Sequence, residues 1–158
     1  MPSTAATFES MARVLRSTLP DGYFHVCARG TAGGGPLFRD AEDCDTFLAL
    51  AGSERRRRQW TCHAYCLMRT HYHLVLESRR ETMSRGLQRL NGLYARYFNG
   101  KHHRFGHVFA DRFSARVIED ESYLFDACTY VVLNPVKAGL CDRSGDWPWS
   151  YSSFGLVP

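Results

Sequence analysis

The stretch Tyr65-Cys66-Leu67-Met68-Arg69-Thr70-His71-Tyr72-His73-Leu74-Val75-Leu76-Glu77 decides how this chain reads. Two apolar runs flank the polar pair Arg69-Thr70, which predicts a hairpin of two strands, Trp60 to Met68 and Tyr72 to Glu77. Successive side chains of a strand point to opposite faces, so His71 and His73 share one face and Tyr72 points away. Two imidazoles one pleat apart can hold a single metal ion. A His-x-His pair on a strand also serves as ordinary packing, so other residues must complete any site.

Working outward, Tyr23-Phe24-His25-Val26-Cys27-Ala28-Arg29 has the β-branched and aromatic content of a first strand. The run Gly33-Gly34-Gly35-Pro36 follows it as a loop; no G-K-S/T signature comes after, which excludes a phosphate-binding loop of that type. Asp40 suits an N-cap for a helix through Leu50, and Arg55-Arg56-Arg57-Arg58 reads as a solvated turn or a phosphate contact. Thr82 to Asn99 is the longest predicted helix. Its residues Leu87, Leu90, Tyr94, Tyr97 and Phe98 recur at helical spacing and should face a sheet. Phe113 to Ile118 predicts a fourth strand. Asp120 then caps a helix that Pro135 ends near Asn134. The tail Asp146-Trp147-Pro148-Trp149-Ser150 is expected to pack as an irregular apolar lid. The order strand, helix, strand, strand, helix, strand, helix implies an α+β fold. The simplest arrangement is a ferredoxin-like (RRM-like) antiparallel sheet with helices packed on one face.

Composition narrows the class. With 158 residues, 44% of them hydrophobic, the chain suits a single globular domain over residues 11–158, with residues 1–10 as an N-terminal extension. No apolar run reaches the length of a membrane span, and no secretory signal is recognisable, so a cytoplasmic location is expected. The six cysteines include no C-x-x-C pair and mostly sit in apolar segments, as reduced core thiols do. Cys62 and Cys66 with a nearby His offer a zinc alternative of non-standard spacing. Charge is unevenly spread: residues 79–116 carry nine Lys/Arg against two Asp/Glu, whereas both ends are acidic. Such a basic middle fits a polyanion partner or a solvated helix face. Arg85, Arg89 and Arg96 lie on one side of the long helix, where they could grip a phosphate backbone, and Arg69 and Arg112 are further candidates.

Tyr130 and Asn134 are four apart, hence neighbours on one helix face. An asparagine carbonyl can join two imidazoles around a hard divalent ion, Mg²⁺ or Mn²⁺, and a tyrosine oxygen can attack a phosphorus that the ion polarises. Tyr94, Tyr97 and Tyr123 compete with Tyr130 as nucleophile, and spacing does not choose among them.

A family pattern does. His63-Ala64-Tyr65-Cys66-Leu67-Met68, His71-Tyr72-His73-Leu74, Ser84-Arg85-Gly86-Leu87-Gln88-Arg89-Leu90-Asn91, Gly106-His107-Val108-Phe109, Tyr130, Leu133-Asn134-Pro135-Val136-Lys137-Ala138-Gly139-Leu140 and Trp147-Pro148-Trp149-Ser150 occur in order. The chain, from about Met11 to Phe154, resembles the single-tyrosine HUH transposases (IS200-like), in particular the REP-associated tyrosine transposases. That resemblance implies a metal-dependent DNA transposase that nicks and rejoins single-stranded DNA beside imperfect hairpins, REP-like or at transposon ends. It implies His71, His73 and Asn134 as metal ligands and Tyr130 as the nucleophile. The product would be a 5′-phosphotyrosine link and a free 3′-OH. Alternatives are a domesticated, non-cleaving hairpin-binding protein and a metal-dependent phosphodiesterase. A nucleoid-associated monomer or homodimer is implied. One departure stands out: family members carry Pro-Asn before the first His, and Arg69-Thr70 occupies those places here, which puts the turn geometry in question.

Overall fold

Phe24, Val26 and Ala28 are buried on one side of the first strand, and Tyr23, His25 and Cys27 line the other, so a single strand takes part in two different packings. In this computed structural model, which describes residues 21–157, that strand is β1 (Gly22–Arg29). It lies in one antiparallel sheet with β2 (Thr61–Leu67), β3 (His71–Ser78), β4 (Ser114–Ile118) and β5 (Ser150–Ser152), in the order β4-β1-β3-β2-β5. The first four strands thus have the ferredoxin-like order, and the α+β expectation holds. The expected extension over residues 1–10 lies outside the described residues.

Two long helices, α1 (Ala41–Arg58) and α2 (Arg80–Lys101), cover one face. Phe47 from α1 and Leu87, Leu90, Tyr94 and Phe98 from α2 are fully buried there against Phe24, Val26, Tyr72, Leu74 and Leu76. The expected placement on one face describes these two helices. The third, α3 (Glu121–Val132), packs on the opposite face, where Leu124, Ala127, Cys128 and Val131 meet Ala64, Cys66, Met68 and Val75. The sheet is a shared partition between two cores. Its histidine face is the one that receives α3.

Local chemistry explains most boundaries. Asp40 caps α1 by accepting from the Asp43 amide at 3.0 Å, and Asp120 caps α3 by accepting from the Ser122 and Tyr123 amides. Helix α1 continues through Arg58, so the four arginines form its last turn rather than a loop. There they face the negative end of the helix dipole, and Arg58 reaches the buried Glu54. Gly86 lets α2 approach closely, because a Cβ at that position would lie within 2.6 Å of two Trp60 ring carbons. Pro135 falls in the first turn of the one-turn helix α4 (Asn134–Lys137), just after α3 ends.

The tail differs from the expected irregular lid. The Leu67 amide donates to Trp149 O at 2.8 Å, the Trp147 indole donates to Leu67 O at 3.0 Å, and Ser150–Ser152 then pairs with β2 as β5. Leu67 has backbone groups free for a partner only because β2 would otherwise be a sheet edge.

Candidate active site

The β2–β3 hairpin closes on Arg69-Thr70: Leu67 pairs with Tyr72, and the Met68 amide donates to His71 O at 2.8 Å. Two-residue hairpin turns favour positive φ, yet neither residue has it. The turn's carbonyls are instead taken by the loop after β1. Leu37 and Phe38 amides donate to Arg69 O, and the Gly30 amide donates to Thr70 O. The departure from Pro-Asn therefore leaves the hairpin intact and delivers His71 as the first residue of β3.

Register brings a third imidazole to the pair. Cys27 stands opposite His73 and Arg29 opposite His71, which sets His25 diagonal to His73 on the α3 face. Its Nε2 lies 3.0 Å from His73 Nδ1. Ring centroids are 5.1 Å apart for His25 and His73, and 5.0 Å for His71 and His73. Sequence reasoning missed His25 as a site residue. The signal was its alternation with Phe24 and Val26, but that needs the β1–β3 register to become meaningful.

All three rings are held neutral. Burial pushes His73 down to about 2, with His25, His71 and Arg29 acting in the same direction. Burial, with Arg116, lowers His25 to about 4, and burial, with Arg29, lowers His71 to about 4. Neutral imidazole is the form that ligates. His71 Nδ1 is 3.1 Å from Thr70 Oγ1, and His73 Nδ1 is engaged by His25, so on both histidines Nε2 is the atom left for an ion. This donor chemistry fits a divalent metal.

Helix α3 carries Tyr130 to the margin of the same face. The tyrosine ring stands edge-on to His25 at 5.8 Å and to His73 at 6.2 Å between centroids. The Lys137 ammonium lies 4.6 Å from its centre, in cation–π range. The competing tyrosines are elsewhere. Tyr94 is fully buried on the α1–α2 face and donates to Leu37 O at 2.6 Å, and Tyr97 donates to Asp43 there. Tyr123 is on the first turn of α3 and 56% exposed. Asn134 directs its amide nitrogen to the Tyr130 and Val131 carbonyls at 3.0 and 3.3 Å, capping α3 and leaving its side-chain oxygen as the possible ligand atom.

The five candidate arginines divide. Arg69 is exposed in the turn beside His71, and Arg96 and Arg112 are exposed. Arg112 lines a cleft of ≈ 590 Å³ between α2 and the segment before β4, with Gln88, Asn91 and Phe109. Arg85 pairs with Glu81 at 2.8 Å and Arg89 with the buried Glu54 at 2.9 Å. Both sit on the N-terminal half of α2. That helix starts at the opposite end of the sheet, where the Arg80 amide donates to Asp21 beside the beginning of β1.

Two other metal readings fare differently. A bulge between Cys62 and Ala64 shifts the alternation of β2, so Cys62 packs toward α1 and α2 while Cys66 lies under α3. The zinc alternative on those cysteines therefore fails. Asp40, Asp43 and His102 bring their ligand atoms within 4.8 Å of one another, a possible ion site. Lys101 already engages two of the three, 2.7 Å from Asp40 and 3.1 Å from Asp43, so an ion there would compete with the ammonium. The cluster ties the start of α1 to the end of α2.

No family model and no curated protein matches this sequence. Among solved structures, that of a REP-associated tyrosine transposase bound to a REP hairpin is similar, with a TM-score of 0.76 and 17% identity over 94% of this chain and 89% of that one. At that identity the likeness establishes the fold, an open antiparallel sheet with helices as in that structure. No helix among the described residues is long and apolar enough to cross a membrane.

Proposed function

We propose that this protein is a metal-dependent tyrosine transposase of the HUH type, which nicks and rejoins single-stranded DNA carrying imperfect hairpins. One observation carries the reading. Tyr130 is brought by its helix to a face of the sheet that holds neutral histidines, its ring 5.8 and 6.2 Å from two of theirs. A similar solved structure, which holds a REP hairpin, supports the substrate class.

In this reading His71 and His73, through Nε2, and Asn134, through its amide oxygen, hold Mg²⁺ or Mn²⁺. The ion supplies Lewis-acid polarisation of the scissile phosphate. Tyr130 Oη forms a bond to phosphorus while the bond to the 3′ oxygen breaks. The phenolic proton is lost and the departing 3′ oxygen gains one, so charge and atoms balance. The same site run backwards with another 3′-OH rejoins strands, and no external energy source is needed. Lys137, whose ammonium lies 4.6 Å from the centre of the Tyr130 ring, places a positive charge beside the nucleophile where the phosphate would sit.

The test is a labelled hairpin oligonucleotide incubated with Mn²⁺ and resolved on a denaturing gel. A protein–DNA band that survives denaturation and vanishes in Tyr130→Phe is expected. Free cleavage product from both proteins would replace the proposal with hydrolysis by a metal phosphodiesterase. Hairpin binding without cleavage under any metal would leave a DNA-binding protein only.

A further inference from the structure

Phe105 is 95% exposed, in the segment His102-His103-Arg104-Phe105-Gly106-His107 that follows α2. A phenyl ring so placed contributes nothing to either core, and water is its least favourable surrounding. Its backbone is nonetheless fixed. The Arg104 amide donates to Asn99 O at 2.9 Å and the Asn99 side-chain amide to Gly106 O at 2.9 Å. His103 and Gly106 adopt positive φ of 51° and 88°, which turn the chain sharply on either side of the ring. The loop therefore presents Phe105 rather than merely tolerating it.

Arg104 precedes it in the chain, and its guanidinium shares a neighbour with that of Arg39. Arg104 and Arg39 both lie over the buried Phe98 ring, at 5.6 and 5.1 Å from its centre. Both reach Gly34: Arg39 donates to Gly34 O at 3.5 Å, and an added Cβ on Gly34 would lie 2.8 Å from the Arg104 terminal nitrogen. No carboxylate among the described residues pairs with either arginine. Two like charges held together without a counterion form an anion site, and the stems resting on Phe98 restrict the rotamers.

The position in the fold connects this group to the histidines. Downstream of Phe105, Val108 O accepts from Thr31, Phe109 bridges Gly30, and the Ala110 amide donates to Arg29 O. Arg29 is the residue opposite His71. On the other side, Leu37 and Phe38, which precede Arg39, hold the Arg69 carbonyl of the hairpin turn. The loop, the arginines and His71 thus share one end of the sheet.

An exposed aromatic on the same loop as one arginine of a two-guanidinium cluster offers the chemistry of one nucleotide: a π-face for a base and a fork for its phosphate. We propose that Phe105 stacks on an unpaired base of the DNA substrate while Arg39 and Arg104 hold an adjoining backbone phosphate, setting the strand relative to the histidine end. This rests on the nucleic-acid reading above. It adds a grip formed by none of the residues already assigned to the chemistry.

The experiment uses the full chain and single-stranded hairpin oligonucleotides with 2-aminopurine substituted at successive unpaired positions. Wild-type protein is expected to change the probe's fluorescence at one or two positions only. Phe105→Ala should abolish that change and weaken binding on the order of ten- to a hundredfold, the usual worth of one base–aromatic stack, while Phe105→Trp restores both. Arg39→Gln with Arg104→Gln should reduce the slope of log affinity against log salt by roughly one to two. Because Phe105 touches no core, circular dichroism should be the same for Phe105→Ala and wild type. Wild-type binding with unchanged affinity and fluorescence in Phe105→Ala overturns this proposal alone. Loss of concentration-dependent self-association in Phe105→Ala, with DNA binding intact, would also overturn it and assign the ring to a protein contact. A wild-type protein that binds no hairpin or single-stranded DNA would instead overturn the reading on which it rests.

Discussion

His25 shows what one residue can hide. In the sequence it is a single histidine in an apolar strand, whereas in the fold its Nε2 is the hydrogen-bond partner of His73 Nδ1 at 3.0 Å. For His73 Nε2 to be an acceptor, the proton of that pair must sit on His73 Nδ1 and be donated to His25. Long-range nitrogen–proton NMR of the metal-free protein at pH 7 is expected to show His73 in the Nδ1–H form. In His25→Ala the preference should relax toward the tautomer mixture of free imidazole. An unchanged His73 signal in His25→Ala would mean the contact orients nothing. The pair His71 and His73 was legible from alternation alone, because the period of a strand is local information. His25 was not, because its role depends on register across strands separated by α1 and the hairpin. Tyr130 lies between these cases: helical spacing placed it beside Asn134, the family pattern singled it out, and packing of α3 on the histidine face sets it apart from Tyr94 and Tyr97.

At the scale of elements, charge proved the least legible signal. Arg85, Arg89 and Arg96 share a helix and a sign, yet they do different things. Arg89 reaches across to α1 and, with Arg58, neutralises Glu54, whose side chain is only 2% exposed. A buried carboxylate stripped of one partner is costly, so Arg89→Met is expected to destabilise the fold by about 1–2 kcal/mol. The half-exposed arginine and the surviving Arg58 keep the figure below that of a fully buried pair. Urea unfolding measures the loss, and affinity for single-stranded DNA should stay near that of the wild type. A stable Arg89→Met protein with impaired binding would return the residue to the DNA surface. The basic composition of the middle of the chain was thus visible in sequence, but its division between ion pairs and free surface was not. That division depends on where α1 places Glu54 and Glu42. The arginine turn at the end of α1 has the same lesson: four charges in a row read as loop, whereas a helix C-terminus favours them.

Across the whole molecule, the histidine face makes stability depend on pH. His25, His71 and His73 have folded-state values lowered to about 4, about 4 and about 2, against an ordinary value of 6.5. As pH falls below about 6.5 the unfolded chain takes up protons that the folded chain refuses until far lower pH. The unfolded state then binds more protons, so stability must fall with pH through this window. In EDTA, the melting temperature is expected to decline steadily from pH 7 toward pH 4. His73→Phe, which removes the most strongly lowered group, should flatten the decline. A melting temperature indifferent to pH across that range would contradict the burial assigned to these rings.

The fifth strand has a consequence for how the chain is made. β2 emerges early, but β5, which covers its edge, and Trp147, which binds Leu67 O, arrive only after α2, β4 and α3 have been synthesised. Throughout that interval Ala64, Tyr65 and Cys66 present open backbone groups to any other nascent chain on the same polysome. The exposed turn beside them bears Arg69, and the arginine-rich end of α1 precedes them, so the vulnerable edge is bracketed by positive charge. Like charge on both flanks disfavours pairing of two copies at that edge until β5 covers it.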